Sequence, residues 1–445
     1  MSSVIRSSTN PLDRAIALAR GRLIPFLLLM YILAFLDRAN IGFAKQAFQA
    51  SAHVSDRAYA LAAGLFFLSY AALEVPSNLL LHRLGARIWM SRIMVTWGLI
   101  SAAMVFARGE WSFYGLRLLL GAAEAGFFPG VILYLTYWFP NRARVQMMGL
   151  FYFGAPLAYI FGSPLSGYLL QLHGAGLEGW QWLFLVEGML AAIVGIWAFW
   201  YLDDQPANAA WLSDAEKAAL SVSVTQEREA RIARGPVAFG AVVFNRRVLH
   251  FVAIYFLIQM SVYGVVFYLP TQIAALLGAK VGVKVGLVTA IPWICALGAT
   301  FVLPRFAART GHHRRIAAIT LTISGLGIAV SASSSPSVAL VALCFAAAGF
   351  IAVQPLFWTF PTEYLGGVAA AGGIALINAV GSLGGFFAPN VKTWADGNFG
   401  TPRAGLYVLA STTLLGALLI AILERPGVAK AASVPLPSLF RGAWK

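Results

Sequence analysis

Long apolar stretches recur along the chain, each closed by a short charged or Gly/Pro-rich break. A helix rises 1.5 Å per residue, so roughly 20 apolar residues cross a hydrocarbon core roughly 30 Å thick, and each such stretch is a candidate membrane span. The pattern predicts spans 1 to 6 at about 23–44, 58–81, 89–107, 112–139, 146–172 and 181–202. Spans 7 to 12 follow at about 248–277, 285–304, 316–334, 337–360, 368–391 and 404–424. The first stretch carries Asp37 and Arg38 within it and lacks a short apolar core followed by a small-residue cleavage pattern. It reads as a retained helix rather than a signal peptide.

Residues 203–246 form the one long polar stretch between these sets, and Ser213-Asp214-Ala215-Glu216 opens a charged run through Arg234 with a capping-box pattern. The chain therefore divides into an N-terminal six-helix bundle (1–202), a cytoplasmic linker with a surface helix (203–246), and a C-terminal six-helix bundle with a cytoplasmic tail (247–445). Composition agrees with an all-α integral membrane protein: 60% of the 445 residues are hydrophobic and 11% charged, too much apolar surface for a water-soluble globule.

A net charge of +15 would suggest nucleic acid in a soluble chain. With both termini cytoplasmic, 23 of the 32 Lys and Arg fall in cytoplasmic segments, 7 in outer loops and 2, Arg38 and Arg117, in the bilayer. That is the positive-inside bias, and it removes the need for a nucleic-acid partner. Cys295 and Cys344 lack any paired spacing and read as small packing residues, with no disulfide, metal or cofactor implied.

The two halves echo each other. His82 to Arg92 (HRLGARIWMSR) parallels Arg305 to Arg315 (RFAARTGHHRR), and Gly126 through Pro140 loosely parallels Gly349 through Pro361. Duplicated halves are how transporters build a site at the repeat interface and rock around it. These loops, together with FLDRANIGFA (Phe35 to Ala44), EVPSN (Glu74 to Asn78), GLRLLLGAAEAGFFPGVILYLTYWFP (Gly115 to Pro140) and GGIALINAVGSLGG (Gly372 to Gly385), resemble the major facilitator superfamily. Within it they are similar to the anion:cation symporter family, especially its bacterial tartrate and hydroxyphenylacetate permease-like members. The resemblance implies two six-helix pseudo-repeats and proton-driven uptake of small carboxylates across the bacterial inner membrane.

Ionisable groups inside a bilayer are expensive and mark pathways unless a structural partner explains them. Arg38 lies about 22 Å along span 1 and Arg117 about 8 Å down span 4 from the other side, so the two reach similar depth. A guanidinium fork matches a carboxylate bidentately, which makes Arg38 and Arg117 a candidate anion clamp; internal neutralisation, as of Arg117 by Asp37, is the structural alternative. Asp37 and Glu124 are the candidate proton-coupling groups, since burial and neighbouring arginines pull a carboxyl's protonation in opposite directions. Small residues Gly121, Ala122, Ala125 and Gly126 permit close packing beside them, and Pro129 is placed to bend span 4. The resemblance implies the same roles for these four positions.

The second half offers no Lys, Arg, Asp or Glu inside its predicted spans away from their ends. Gln259 and Asn378 near mid-depth are candidate substrate contacts, as is Tyr70 of span 2; the resemblance implies Tyr70 and Asn378, whereas Gln259 rests on the cost of an unpaired amide in lipid. Interhelical bonding is the other use of such neutral groups. Glu74, beside Pro76, reads as a gate or helix-end partner rather than the proton carrier, and Glu187 has no deduced partner. Gly154-Ala155-Pro156 in span 5 stands where some sugar-acid carriers have Gln, which favours a less polar or aromatic carboxylate. The resulting expectation is a monomeric symporter of a small organic acid anion and protons. Anion exchange without net proton flow is the first alternative, and a membrane-bound enzyme or receptor the second.

Overall fold

A computed structural model describes residues 10–232, 245–333, 335–365 and 367–423. The end of the charged run at Arg234 and the tail beyond Leu423 lie outside the described residues. Among the described residues, twelve helices are long and apolar enough to cross a membrane. In chain order they are Pro11–Ala52, Asp56–Leu84, Ala86–Phe106, Glu110–Trp138, Asn141–Leu169 and Gly179–Tyr201, then Arg246–Val266, Val283–Thr310, His313–Ala332, Pro336–Tyr364, Gly373–Phe399 and Pro402–Ala421. Local chemistry sets many of their ends. Asn10, Ser55, Asn245 and Thr401 each accept a backbone N–H of the turn they open, and Pro11 and Pro402 occupy first positions where no N–H is needed. Gly311 and Gly400 close spans 8 and 11 in the left-handed conformation.

The outward surface explains why these helices belong in lipid. Leu79, Phe161, Ile193, Phe301 and Leu418 are among many large apolar side chains left exposed, a surface that water would not tolerate in a monomer. Trp111 and Trp200, near helix ends, are also exposed, as expected of an interfacial aromatic belt. Cys295 and Cys344 are free thiols that meet between spans 8 and 10.

Several spans are interrupted where the sequence predicts continuous helix. Span 4 breaks after Glu124, where Gly126 takes a φ of +87° and an added Cβ would lie 2.3 Å from Ser77 Oγ. The bend thus sits at Gly126, and Pro129 falls in the first turn of the following segment, where its missing N–H is harmless. The stretch read as one span 7 ends at Val266 and continues as a separate helix, Leu269–Leu276. Span 11 runs to Phe399, so Lys392, counted above among outer-loop residues, is a buried residue of the helix, paired with Asp396 at 2.6 Å.

The helix Asp214–Ile232 lies on the face of the protein where span 1 begins, here the terminal face. Glu216 accepts the Ser213 N–H at 2.9 Å and pairs with Arg14 of span 1 at 3.4 Å. On the opposite, distal face the two halves are pressed together backbone to backbone. A Cβ at Gly167 of span 5 would meet Gly282 O at 2.5 Å, and one at Gly286 of span 8 would meet Ser163 O at 2.3 Å. Gly42 of span 1 likewise packs on Phe267 O, at 2.9 Å from an added Cβ. Small residues permit this approach, and it seals the distal side.

Candidate functional site

A cavity lies between the halves at mid-depth and toward the terminal face, lined from the first half by Tyr31, Phe35, Arg38, Phe67, Tyr70, Phe128, Tyr152 and Ala155. The second half contributes Tyr255, Gln259, Tyr263, Gln354, Asn378 and Ser382, among others. Arg38 is its charged centre. Its Nε donates to Glu124 Oε1 at 2.8 Å, its Nη2 bonds the same oxygen, and its Nη1 donates to Tyr263 OH at 3.0 Å across the interface. The guanidinium also sits 5.2 Å from the ring centroids of Phe35 and Tyr70. Glu124 is fully buried as the last residue before the break in span 4, and its Oε2 has no partner.

Asp37 precedes Arg38 on the same helix, and neighbouring side chains diverge by about 100° around a helix axis. It therefore points into the first half, where Oδ1 accepts Asn40 Nδ2 at 3.0 Å and bonds Ser101 Oγ of span 3 while Oδ2 has no partner. Glu187, without a partner in the sequence reading, accepts Ser166 Oγ at 2.8 Å.

The expected clamp of two arginines is not formed in this conformation. Arg117 is 1% exposed and does not line the cavity; its Nε donates to Ala62 O at 3.4 Å and its guanidinium lies 4.9 Å from the Phe66 ring centroid. Equal depth along two helices places two side chains at one level, but helix rotation decides which of them reaches the cavity. Of the neutral candidates, Tyr70, Gln259 and Asn378 all line the cavity. Gln259 Oε1 is buried without a partner, while Asn378 Nδ2 is already engaged by Glu74 Oε1 at 2.6 Å.

Sequence reasoning missed Tyr263, Tyr255, Tyr152, Tyr31 and Gln354. A tyrosine in an apolar run carries no charge signal, and only the packing shows that it lines the cavity. Gln354, in span 10, was discoverable by the argument that selected Gln259.

A model of the Major Facilitator Superfamily matches residues 27–389. The Inner membrane transport protein RhmT of Escherichia coli (strain K12) is 50% identical over 414 residues, covering 93% of this chain and 96% of that protein. A protein of Agrobacterium vitis named "Putative tartrate transporter" is 41% identical over 422 residues, 94% of this chain and 93% of its own length. A crystal structure of a D-xylose-proton symporter superposes with a TM-score of 0.72, covering 91% of this chain and 98% of that one, at 15% identity, a likeness of fold alone. Twelve spans in two packed halves around a central cavity, and sequence likeness along nearly its whole length, make the chain a multi-pass membrane transporter rather than an enzyme, and a member of the Major Facilitator Superfamily.

Proposed function

We propose that the protein takes up a small organic carboxylate anion together with protons, by alternating access. The observation that carries this reading is the Arg38–Glu124 pair at the cavity wall. An incoming carboxylate and Glu124 compete for one guanidinium fork. When the cargo takes Arg38, a displaced Glu124 is a buried carboxylate without its countercharge, a state costly enough that it takes up a proton instead. Anion binding and protonation are thereby linked through a single residue. Asp37 is the second proton-coupling group, and Arg117 adds positive charge behind Phe66.

Tyr70, Gln259 and Asn378 are the neutral cargo contacts. Tyr31, Tyr152, Tyr255 and Gln354 line the same cavity and add hydroxyl and amide groups to its wall, which suits a hydroxylated carboxylate better than the aromatic acid suggested by Ala155 alone. The relative named for tartrate agrees in class. Proton cotransport also removes an electrical penalty, because a lone anion entering a negative interior faces roughly 2.3 kcal/mol per charge per 100 mV. The basic residues of the loops after spans 2, 4 and 8 support cytoplasmic termini in the bacterial inner membrane, with the monomer as the working unit.

Uptake of radiolabelled tartrate and related hydroxy acids into proteoliposomes tests this. An imposed inward proton gradient should drive accumulation and alkalinise the outer medium. Uptake that ignores the gradient and responds only to preloaded anion would establish exchange instead.

A further inference from the structure

Glu74 is a buried carboxyl that the proposed cycle does not use. It lies on span 2, ten residues before that helix ends on the terminal face, and is 1% exposed. Its Oε1 accepts Asn378 Nδ2 of span 11 at 2.6 Å, a bond joining the first half to the second. Its Oε2 is buried without any partner. An ionised carboxylate offers about four acceptor sites, so a single amide donor leaves this buried charge under-satisfied and ready to take up a proton as the pH falls.

The position of this bond sets its consequence. The distal side is closed by backbone contacts through Gly42, Gly167 and Gly286, beside which Lys45 and Asp56 of the first half face Tyr268 and Lys392 of the second. On the terminal side of the cavity, spans 2 and 11 are joined by the Glu74–Asn378 bond. A contact that depends on charge stands where the cavity would have to open. The ionisable groups facing Glu74 are Arg38 of span 1, Tyr70 of its own helix and Tyr255 of span 7, and Tyr70 in turn interacts with Glu124 of span 4. Span 11 brings the neutral Asn378.

We infer that Glu74 is a positioning residue for transport: ionised, it latches the two halves through Asn378 on the terminal side of the cavity, and protonated, it lets that side open. A charge-assisted hydrogen bond is roughly twice as strong as a neutral one, so a proton on Glu74 weakens the latch without removing either side chain. The inference rests on the transport reading, but its test needs no cargo and so fails separately from it.

Spin labels at the exposed positions Gln146 and Thr310, one on each half at the terminal face, report the opening when Cys295 and Cys344 are replaced by Ser and the protein is held in lipid nanodiscs. Electron–electron distance distributions should be short and narrow in alkaline buffer and shift to longer distances in acid. Glu74→Gln should show the long distribution already in alkaline buffer, and Asn378→Ala, which breaks the same bond from the other half, should match it even where Glu74→Gln fails to fold. Combining Glu74→Gln with Asn378→Asp returns a carboxylate to the pair from the opposite side and should restore the short distribution. A wild-type distribution in Glu74→Gln in alkaline buffer, or no recovery in the combined variant, overturns the latch.

Discussion

The two halves share a helical plan and divide the chemistry. In the first, Asp37, Arg38, Glu74, Arg117, Glu124 and Glu187 are ionisable side chains within the spans, and the pairings among them are uneven: one ion pair in which two guanidinium nitrogens share a single carboxylate oxygen, several carboxylate oxygens with no donor, and an arginine resting on an aromatic ring. In the second, the cavity side is neutral, made of amides and hydroxyls. Among the described residues, its ion pair within a span joins buried Lys392 to half-buried Asp396 one helical turn on, with Asp396 Oδ1 also accepting the Gly405 N–H at 2.8 Å. The Lys392 ammonium sits 4.3 Å from the Tyr268 ring centroid. That pair is matched within its own helix and does not line the cavity. The contrast teaches that buried charge marks function where it is incompletely matched, and structure where it is complete.

The largest expected effect comes from Arg38→Lys. The lysine keeps the charge but cannot hold Glu124 and Tyr263 through one planar fork, and charged hydrogen bonds are worth about 1.5–3 kcal/mol each, so anion affinity should fall about 10- to 100-fold. Arg117→Lys should cost less, because Arg117 stands off the cavity. Thermal-shift titrations with tartrate and its analogues compare the two, and equal or reversed losses would restore a two-arginine clamp in some other conformation.

Next comes the separation of coupling from binding. Glu124→Gln imitates a neutral carboxyl and frees the Arg38 fork, so it should bind the anion but lose accumulation driven by an inward proton gradient, while substrate-for-substrate exchange in liposomes persists. Full gradient-driven accumulation by this variant would move the proton site to Asp37. Asp37→Asn should reduce accumulation less cleanly, since it also removes a countercharge near Arg117.

Smaller effects are expected from the neutral half. Gln259→Leu removes an amide whose oxygen has no protein partner, so affinity should fall by about 1 kcal/mol, near fivefold, with proton coupling intact in the same uptake assay. Smallest is the joint change Lys392→Met with Asp396→Leu. Replacing a whole buried pair by apolar groups is often nearly neutral, whereas removing one partner strands the other, so the double variant should transport like wild type and the single variants should melt earlier. Loss of transport in a stable double variant would break the division between the halves.

Much of this protein is legible in one dimension. The twelve spans, the division near residue 203, the surface helix opened at Ser213 and the intramembrane charges follow from apolar length, capping chemistry and the cost of charge in lipid, each a property of a short window. Gln259 and Asn378 were singled out as amides in apolar runs, and Tyr70 by the family resemblance. The other tyrosines around Arg38 were not, because they pack as readily as they bond.

The sequence by itself determined that this chain crosses a membrane twelve times and carries two arginines and several carboxyls at mid-depth. Only the tertiary structure decided which of them meet. Depth along a helix follows from counting residues, but rotation about the axis follows from packing, through small-residue contacts such as Gly167 on Gly282 and the break at Gly126. That rotation turned Arg38 into the cavity and Asp37 away from it, left Arg117 behind Phe66, and brought Glu74 to Asn378 across 304 positions of sequence.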